Sequence, residues 1–485
     1  TMELSDGLRA LLEVLVGPGT ALSQATLNEV IDKVANTRLD DHPLIKTDPE
    51  TRVRHARGQS LPDWLEMHSG NVDTFPDGVA FPESSDQVRD LLVHAKENNL
   101  IVIPYGGGTS VVGHINPEIS EKPVLTIDMG KMNSLLSIDT ESQLATFGAG
   151  TPGPVVEEEL KKHGYTLGHF PQSWELSTLG GWVASRSSGQ QSLHYGRIEN
   201  MFAGGTIETL NGTMTIPTIP ASSAGPDVRE MILGSEGRMG IITEVTVRIT
   251  HLPEKEKFQV IFFPSWEVGI SAARELIQQR VALSMVRLSN PLETTSLLYM
   301  GAGSDRSGVV ALEESLSEKG IGEGKVMMTF GVTGSARHCE TAYQLALDHC
   351  SGLGGVADDS GLVIPELNYE PGIYSARYAG DAASDLDNRN KVIKKIESIS
   401  KQSLDAYYVC VLVGLRADDD PMPIISEGKI HGRVSINSIG DGGFGYDKIF
   451  YPRGFDLSMA QIDSETKNEI SHRAIASKNF LSQFK

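Results

Sequence analysis

The sequence predicts an α+β chain of more than one domain, and three observations carry that prediction. A strand-like run at residues 100–104 follows a helix-patterned stretch and runs into three glycines, a strand, helix, strand unit with a glycine loop at its end. Beyond residue 132 the pattern turns to short strands, the clearest of them a two-residue alternation at residues 241–247. At 485 residues, with 39% hydrophobic and 22% charged, the chain has ordinary globular composition and enough length for two or three cores.

A formal net charge of -21 argues against nucleic acid and against anionic membrane surfaces, both of which call for a basic face. A phosphate-bearing ligand would have to be held locally, by main-chain amides, a few cations or a metal. Cys339, Cys350 and Cys410 are too few and too scattered for a disulfide framework or a zinc cluster, and read as reduced thiols of a cytoplasmic enzyme. No apolar run reaches the length of a membrane span, residues 1–6 lack a signal-peptide pattern, and Ser482-Gln483-Phe484-Lys485 is not a peroxisomal address.

Taken in order, Leu8, Leu11, Leu12 and Leu15, then Leu27, Val30, Ile31 and Val34, predict two short peripheral helices. Arg52, Arg54, His55 and Arg57 cluster in mixed polar text and are expected on a solvated face. Ser84 caps a helix carrying Val88, Leu91, Leu92 and Ala95. Next comes Pro104-Tyr105-Gly106-Gly107-Gly108-Thr109-Ser110, read either as a diphosphate cradle or as a plain glycine turn. Glycines let the backbone approach a phosphate and aim N–H groups at it, and Thr109 and Ser110 add hydroxyls. Residues 124–128 give a further strand and 151–160 a helix. Three small-residue loops follow, around Pro171 to Ser177, Ser185 to Ser188 and Gly234 to Gly240.

Those four loops, in this order and spacing, resemble the FAD-binding domain of the vanillyl-alcohol oxidase superfamily, most closely its alkyldihydroxyacetonephosphate synthase branch and bacterial FAD-linked oxidases. The likeness implies a two-subdomain FAD-binding domain at 76–254, after a peripheral segment at 1–75, and a partial α/β substrate cap at 255–355. It assigns the FAD diphosphate to Pro104, Gly106, Gly107, Gly108, Thr109 and Ser110, and the ribityl and isoalloxazine part to Pro171, Ser173, Ser177, Ser185, Ser188, Gly234, Glu236, Gly237 and Gly240. The synthase branch binds FAD noncovalently, so covalent linkage through His114 is not expected. In the cap, Arg287 matches an arginine that meets a substrate's anionic group, and a surface ion pair is the alternative.

From Val356 the text changes. Asp358-Asp359-Ser360-Gly361, residues 371–380, Gly443-Phe444-Gly445-Tyr446-Asp447 and Lys467-Asn468-Glu469-Ile470-Ser471-His472-Arg473 resemble the inosine/xanthosine triphosphate pyrophosphatase family, without its amino-terminal part. Alone, the aspartate pair reads as an acidic capped turn or as a holder of Mg²⁺ and a base for water. The likeness makes Asp359 the proton acceptor and metal ligand and places Ser360, Phe444, Gly445, Tyr446, Asp447, Lys467, His472 and Arg473 on a purine nucleoside triphosphate. It also implies a homodimer. The family's opening Thr/Ser-x-Asn-x-x-Lys loop is not found before Val356, and the synthase's histidine-rich loop has no counterpart, since no two histidines adjoin anywhere. The expected function is therefore a flavoprotein acting on a small anionic substrate, a hydroxy acid or a glycerone-phosphate-like compound, joined near Gly355 to a pyrophosphatase-like portion. Mg²⁺-dependent hydrolysis of ITP or XTP is the alternative, and an inactive fused or misassembled chain the third.

Overall fold

The computed structural model describes residues 12–13, 16–19, 23–220, 223–302, 309, 312–313, 316–317, 319–353, 357–372, 375, 378–380, 384–414, 424–440, 442–443 and 445–482. The chain forms two compact units, one of Thr20–Glu254 and one of Thr1–Gly19 with Lys255–Lys485.

In the first unit, three short helices, α1 (Leu27–Ile31), α2 (Pro49–Arg54) and α3 (Leu61–Ser69), accompany an edge strand β1 (Ile45–Lys46). Thr26 caps α1 in a reciprocal box with Glu29, as the T-x-x-E spacing dictates. Strand β1 runs antiparallel to β2 (Gly78–Ala80), and β2, β4 (Val124–Asp128) and β3 (Ile101–Tyr105) pair in parallel. Helix α4 (Ser85–Glu97), capped by Ser84, crosses from β2 to β3 and buries Val88, Leu91, Leu92 and Ala95 against Leu125 and Ile127.

The expectation of a solvated face at Arg52, Arg54, His55 and Arg57 is corrected. Only Arg54 lies outside; Arg52, His55 and Arg57 are 4%, 8% and 7% exposed. Their charge and ring nitrogens are matched at short range. Arg52 donates to the carbonyls of Pro76 and Ala35, Arg57 to Glu66 and to the Ala56 and Thr74 carbonyls, and His55 Nε2 lies 2.8 Å from Asp128. Composition alone does not reveal such partners, because several come from residues 17 to 73 positions away.

The second layer of this unit is an antiparallel sheet in the order β5 (Leu135–Asp139), β6 (Leu144–Gly148), β10 (Ile241–Arg248), β8 (Phe202–Thr209), β9 (Gly212–Ile216). Helices α5 (Gly153–Lys162) and α6 (Leu179–Ser185) pack on it through Val156, Leu160, Leu179 and Trp182 against Phe147, Phe202 and Val245. A two-stranded ribbon joins β7 (Tyr165–Thr166) to β11 (Thr250–His251). Glu208, fully buried on β8, is held by Arg89 of α4 at 3.1 Å and by the Thr213 hydroxyl. This charged link ties the two layers together.

The second unit opens with the antiparallel order β12 (Lys255–Phe263), β14 (Val326–Gly334), β13 (Met285–Ser289). Helices α7 (Trp266–Gln278) and α8 (Ala336–Gly352) cover one face, where Ala272, Leu276, Cys339, Ala346 and Cys350 meet Phe263 and Phe330. A five-stranded antiparallel sheet follows in the order β16 (Glu370–Pro371), β15 (Ala357–Ile364), β17 (Ser403–Gly414), β18 (Ile424–Ser435), β19 (Phe450–Pro452). Its core joins Leu362, Ile364, Leu404 and Phe450 to Val392 and Ile396 of α9 (Asp385–Ser398). Helices α10 (Ser464–Ile470) and α11 (His472–Ser482) end the described chain.

Candidate functional sites

The glycine loop leaves β3 and at once meets the segment before α6. A Cβ on Gly107 would lie 1.8 Å from the carbonyl oxygen of Leu176, and one on Gly106 would lie 2.5 Å from Thr178 Oγ1. Gly108 has φ +67°, with the Tyr105 hydroxyl 2.1 Å from where its Cβ would stand. Only glycine satisfies these three approaches. Among the described residues, the main-chain N–H groups of Gly107, Gly108, Thr109 and Ser110 have no acceptor. Four successive unspent donors on a loop without side chains at its three glycines suit an anion. The loop thus fits the diphosphate of a dinucleotide.

The loop is braced from below. Tyr105 is pushed up to about 12 by its burial and by Asp128, and stays a neutral hydroxyl under Gly108. His55 lies against the Tyr105 ring, 4.7 Å between centroids. At the loop's end, Ser110 Oγ lies 3.1 Å from His114 Nδ1.

The other expected flavin loops divide. Gly237, at φ +82°, presses on the Pro104 ring, and the N–H groups of Gly234 and Glu236 bond the Val183 and Ala184 carbonyls, so this loop reaches the cradle strand and α6 together. Pro171 and Ser173 form a tight turn in which their carbonyls accept from Trp174, Leu176 and Ser177. Two expected hydroxyls are already engaged: Ser177 Oγ accepts from Trp182 Nε1 at 2.7 Å, and Ser185 Oγ donates to the Gly181 carbonyl. Ser188 is exposed. Gly240 sits apart, just before β10, where a Cβ would lie 2.6 Å from the carbonyl oxygen of Glu208 on β8.

One residue was missed from the sequence. His169 is 1% exposed, its Nε2 is 2.7 Å from Ser187 Oγ, and its Nδ1 is buried with no partner among the described residues. Trp174 Nε1 is likewise orphaned. Two unmet polar atoms beside the loops expected to line a flavin are a signal that only coordinates carry. Burial drops the His169 pKa to about 4. Because an unfolded histidine binds its proton near pH 6.5 and this one does not, stability should rise with pH between about 4 and 6.5. The shift corresponds to about 3 kcal/mol. We expect His169→Gln, whose amide can reach Ser187, to flatten the pH dependence of melting across that window; an unchanged slope would refute the assignment.

In the second unit, three of the residues expected on a purine, Asp447, Lys467 and His472, meet around Tyr408. Asp447 Oδ2 accepts from Lys467 Nζ at 2.6 Å, and the Tyr408 hydroxyl donates to Asp447 Oδ1 at 3.3 Å. The His472 ring stacks on Tyr408, 4.8 Å between centroids and 11° apart. Burial raises the Tyr408 and Tyr446 hydroxyls well above the usual tyrosine range, and the latter donates to the Ser375 carbonyl. Tyr408 was not singled out from sequence; it faces inward with Leu404 and Ala406, as strand alternation requires. Arg473 is half-buried at the start of α11. Phe444 and the side chains of Asp359 and Ser360 lie outside the described residues, and β15 carries Asp359 opposite Val411 of β17. Among the described residues no three His, Cys, Asp or Glu side chains are grouped to hold a metal. Arg287 is half-exposed on β13 and ion-paired with Glu293.

Residues 332–483 match the Ham1 family. A dITP/XTP pyrophosphatase of Legionella pneumophila (strain Paris) is 45% identical over 131 residues, which cover 26% of this chain and 68% of that protein. The chain belongs to the Ham1 family. The Ham1 match opens at residue 332, upstream of the expected join near Gly355, so the end of β14 and all of α8 lie inside it. At that point Thr333-Gly334-Ser335-Ala336-Arg337 makes a strand-to-helix turn without the asparagine and lysine expected of such a loop. Ahead of the Ham1 portion, residues 76–216 match the FAD binding domain. Alkyldihydroxyacetonephosphate synthase of Dictyostelium discoideum is 38% identical over 250 residues, 52% of this chain and 41% of that one. The chain thus spans about two fifths of the length of the curated synthases it matches. A solved alkyldihydroxyacetonephosphate synthase shares the fold, at a TM-score of 0.65 and 23% identity, over 87% of this chain and 82% of that one. A FAD-binding, synthase-like domain is therefore fused to a Ham1 domain.

Proposed function

We propose that this protein is a flavoprotein that holds FAD noncovalently and acts on a small anionic substrate. The observation that carries this is the row of four unspent N–H donors at Gly107 to Ser110. Through them the main chain binds the diphosphate without a cation, which suits a chain of net charge -21. The loops at Pro171 to Ser177, at Ser185 to Ser188 and at Gly234 to Gly237 orient the ring system, and His169, kept neutral by burial, offers a nitrogen to it. When bound, FAD supplies two-electron chemistry at its ring. Arg287 released from Glu293 would suit a carboxylate or phosphate. Purified protein should take up FAD with quenching of the flavin's fluorescence, and a preparation that neither carries nor binds flavin would refute the reading. Bleaching of the bound flavin by a 2-hydroxy acid would mark an oxidoreductase, whereas turnover of an acylated glycerone phosphate without bleaching would mark a synthase.

A second activity is favoured by the buried cluster of Asp447, Lys467, Tyr408 and His472 in the Ham1 domain. In this reading a purine rests beside that cluster, and ITP or XTP is hydrolysed to the monophosphate and diphosphate. The water oxygen bonds to the α-phosphorus, the bond from that phosphorus to the bridging oxygen breaks, and the water's proton passes to the Asp359 carboxylate. Asp359 is the residue that would hold Mg²⁺, which neutralises phosphate charge. Asp359→Asn should cut diphosphate release from ITP by about a thousandfold. Equal release by the two proteins would end this second reading. Cytoplasmic placement and a homodimer complete the proposal; among the described residues no helix is long and apolar enough to cross a membrane.

A further inference from the structure

The first turns of α9 grip the loop that carries Tyr446 and Asp447. Asp385 Oδ2 accepts from the main-chain N–H of Gly445 at 2.6 Å, and Arg389 Nη1 donates to the carbonyl of the same glycine at 2.7 Å. The two side chains stand four residues apart on one face of the helix, so their reach matches the two ends of a single residue. Between them Asn388 accepts from the N–H of Ala379, which ties a second loop to the same face. Ser384 fixes the helix end itself through a reciprocal cap with Asp387.

Gly445 has φ +56° and Gly443 φ +73°, conformations that leave a free loop many alternatives. A loop with two left-handed glycines keeps one shape only if something outside it holds the backbone. On the far side, Asp447 is fixed by Lys467 and Tyr408. On the near side, only Asp385 and Arg389 are seen to hold Gly445 among the described residues.

We propose that Asp385 and Arg389 are positioning residues that set base discrimination: by locking both main-chain groups of Gly445 they hold the segment from Gly445 to Asp447 in the one shape that distinguishes a 6-oxopurine from a 6-aminopurine. Neither residue is assigned contact with nucleotide. Their action passes through the Gly445 backbone to the side chains on either side of it. This rests on the second reading above, that the Ham1 domain takes a purine nucleoside triphosphate. A pre-shaped loop selects because a wrong edge leaves fixed donors and acceptors unpaired, whereas a loose loop rearranges to meet either base.

The test is calorimetric titration of the full chain with the α,β-methylene analogues of ITP and ATP, which cannot be cleaved between the α- and β-phosphorus, so that nucleotide is not consumed. The parent should prefer ITP. Asp385→Ala should weaken ITP binding about tenfold while leaving ATP binding nearly unchanged, so that the preference collapses. Asp385→Asn, whose amide oxygen still accepts from Gly445, should restore the preference. Arg389→Ala should reproduce the collapse. Amide exchange at Tyr446 to Phe450 separates loss of the clamp from loss of the fold, because the core beneath the loop should stay protected in every variant. An Asp385→Ala protein that keeps the ITP preference overturns the inference and leaves the pyrophosphatase reading standing. A parent that binds neither nucleotide overturns that reading, and the inference with it.

Discussion

Gly107→Ala should yield protein without its flavin, and Gly106→Ala should yield protein that keeps part of it. Both add one methyl group, and what that methyl group meets makes the difference. At Gly107 it would stand 1.8 Å from the Leu176 carbonyl oxygen, inside a turn pinned by the Ser173 carbonyl accepting from Leu176 and Ser177. Main chain held in this way cannot yield a full ångström, so the cradle must move and its four N–H groups lose their common aim. At Gly106 the obstacle is the Thr178 hydroxyl, a side chain that can rotate at the cost of the α6 cap it makes with Gly181. Loss of such a cap costs about 1 kcal/mol. We expect FAD affinity to fall at least about a hundredfold for Gly107→Ala and about tenfold or less for Gly106→Ala, read from visible flavin absorbance and fluorescence titration. Far-ultraviolet circular dichroism should stay near that of the parent for both. The reverse order of the two variants, or full flavin content in Gly107→Ala, would remove the cradle from the site.

The second large effect is expected at Lys467. Its ammonium meets Asp447 at 2.6 Å, with side chains 22% and 7% exposed, so the carboxylate is nearly buried and depends on its partners for compensation. Removing one member of a buried pair destabilises by about 3 to 5 kcal/mol, whereas removing both charges together costs far less. Lys467→Met should therefore loosen the Ham1 domain by about 3 kcal/mol, the lower figure because the lysine is partly solvated. Lys467→Met combined with Asp447→Asn should recover much of that. Since a chain of two units need not unfold in one step, amide exchange at Tyr446, Ile449 and Phe450 is the better measure than a single melting temperature. A double variant no better protected than Lys467→Met alone would show that the pair is not what holds this cluster.

These two sites also show how far the sequence reaches. The triple glycine, its strand and the helix before it were readable because they are local: period, cap and loop occupy one stretch of chain, and β3, α4 and β4 fall within a residue or two of their expected bounds. The Gly443 to Asp447 and Lys467 to Arg473 motifs were readable as text, and the fold brings Asp447, Lys467 and His472 together around Tyr408. Arg52, His55 and Arg57 were misread because a charged residue declares its charge but not its partners, and those partners lie up to 73 residues away. His169 was passed over for the same reason: its burial depends on Trp182 and Ser187 folding over it.

By its resemblances the sequence determined that a FAD-binding domain precedes a Ham1 domain, since the motifs that carry both likenesses are short and local in the chain. Only the tertiary structure decided which hydroxyls are already spent, which buried nitrogens are unmet, and that α9 grips the main chain of Gly445. Those are properties of desolvation and of contacts between distant segments, and they come into being when the chain closes on itself.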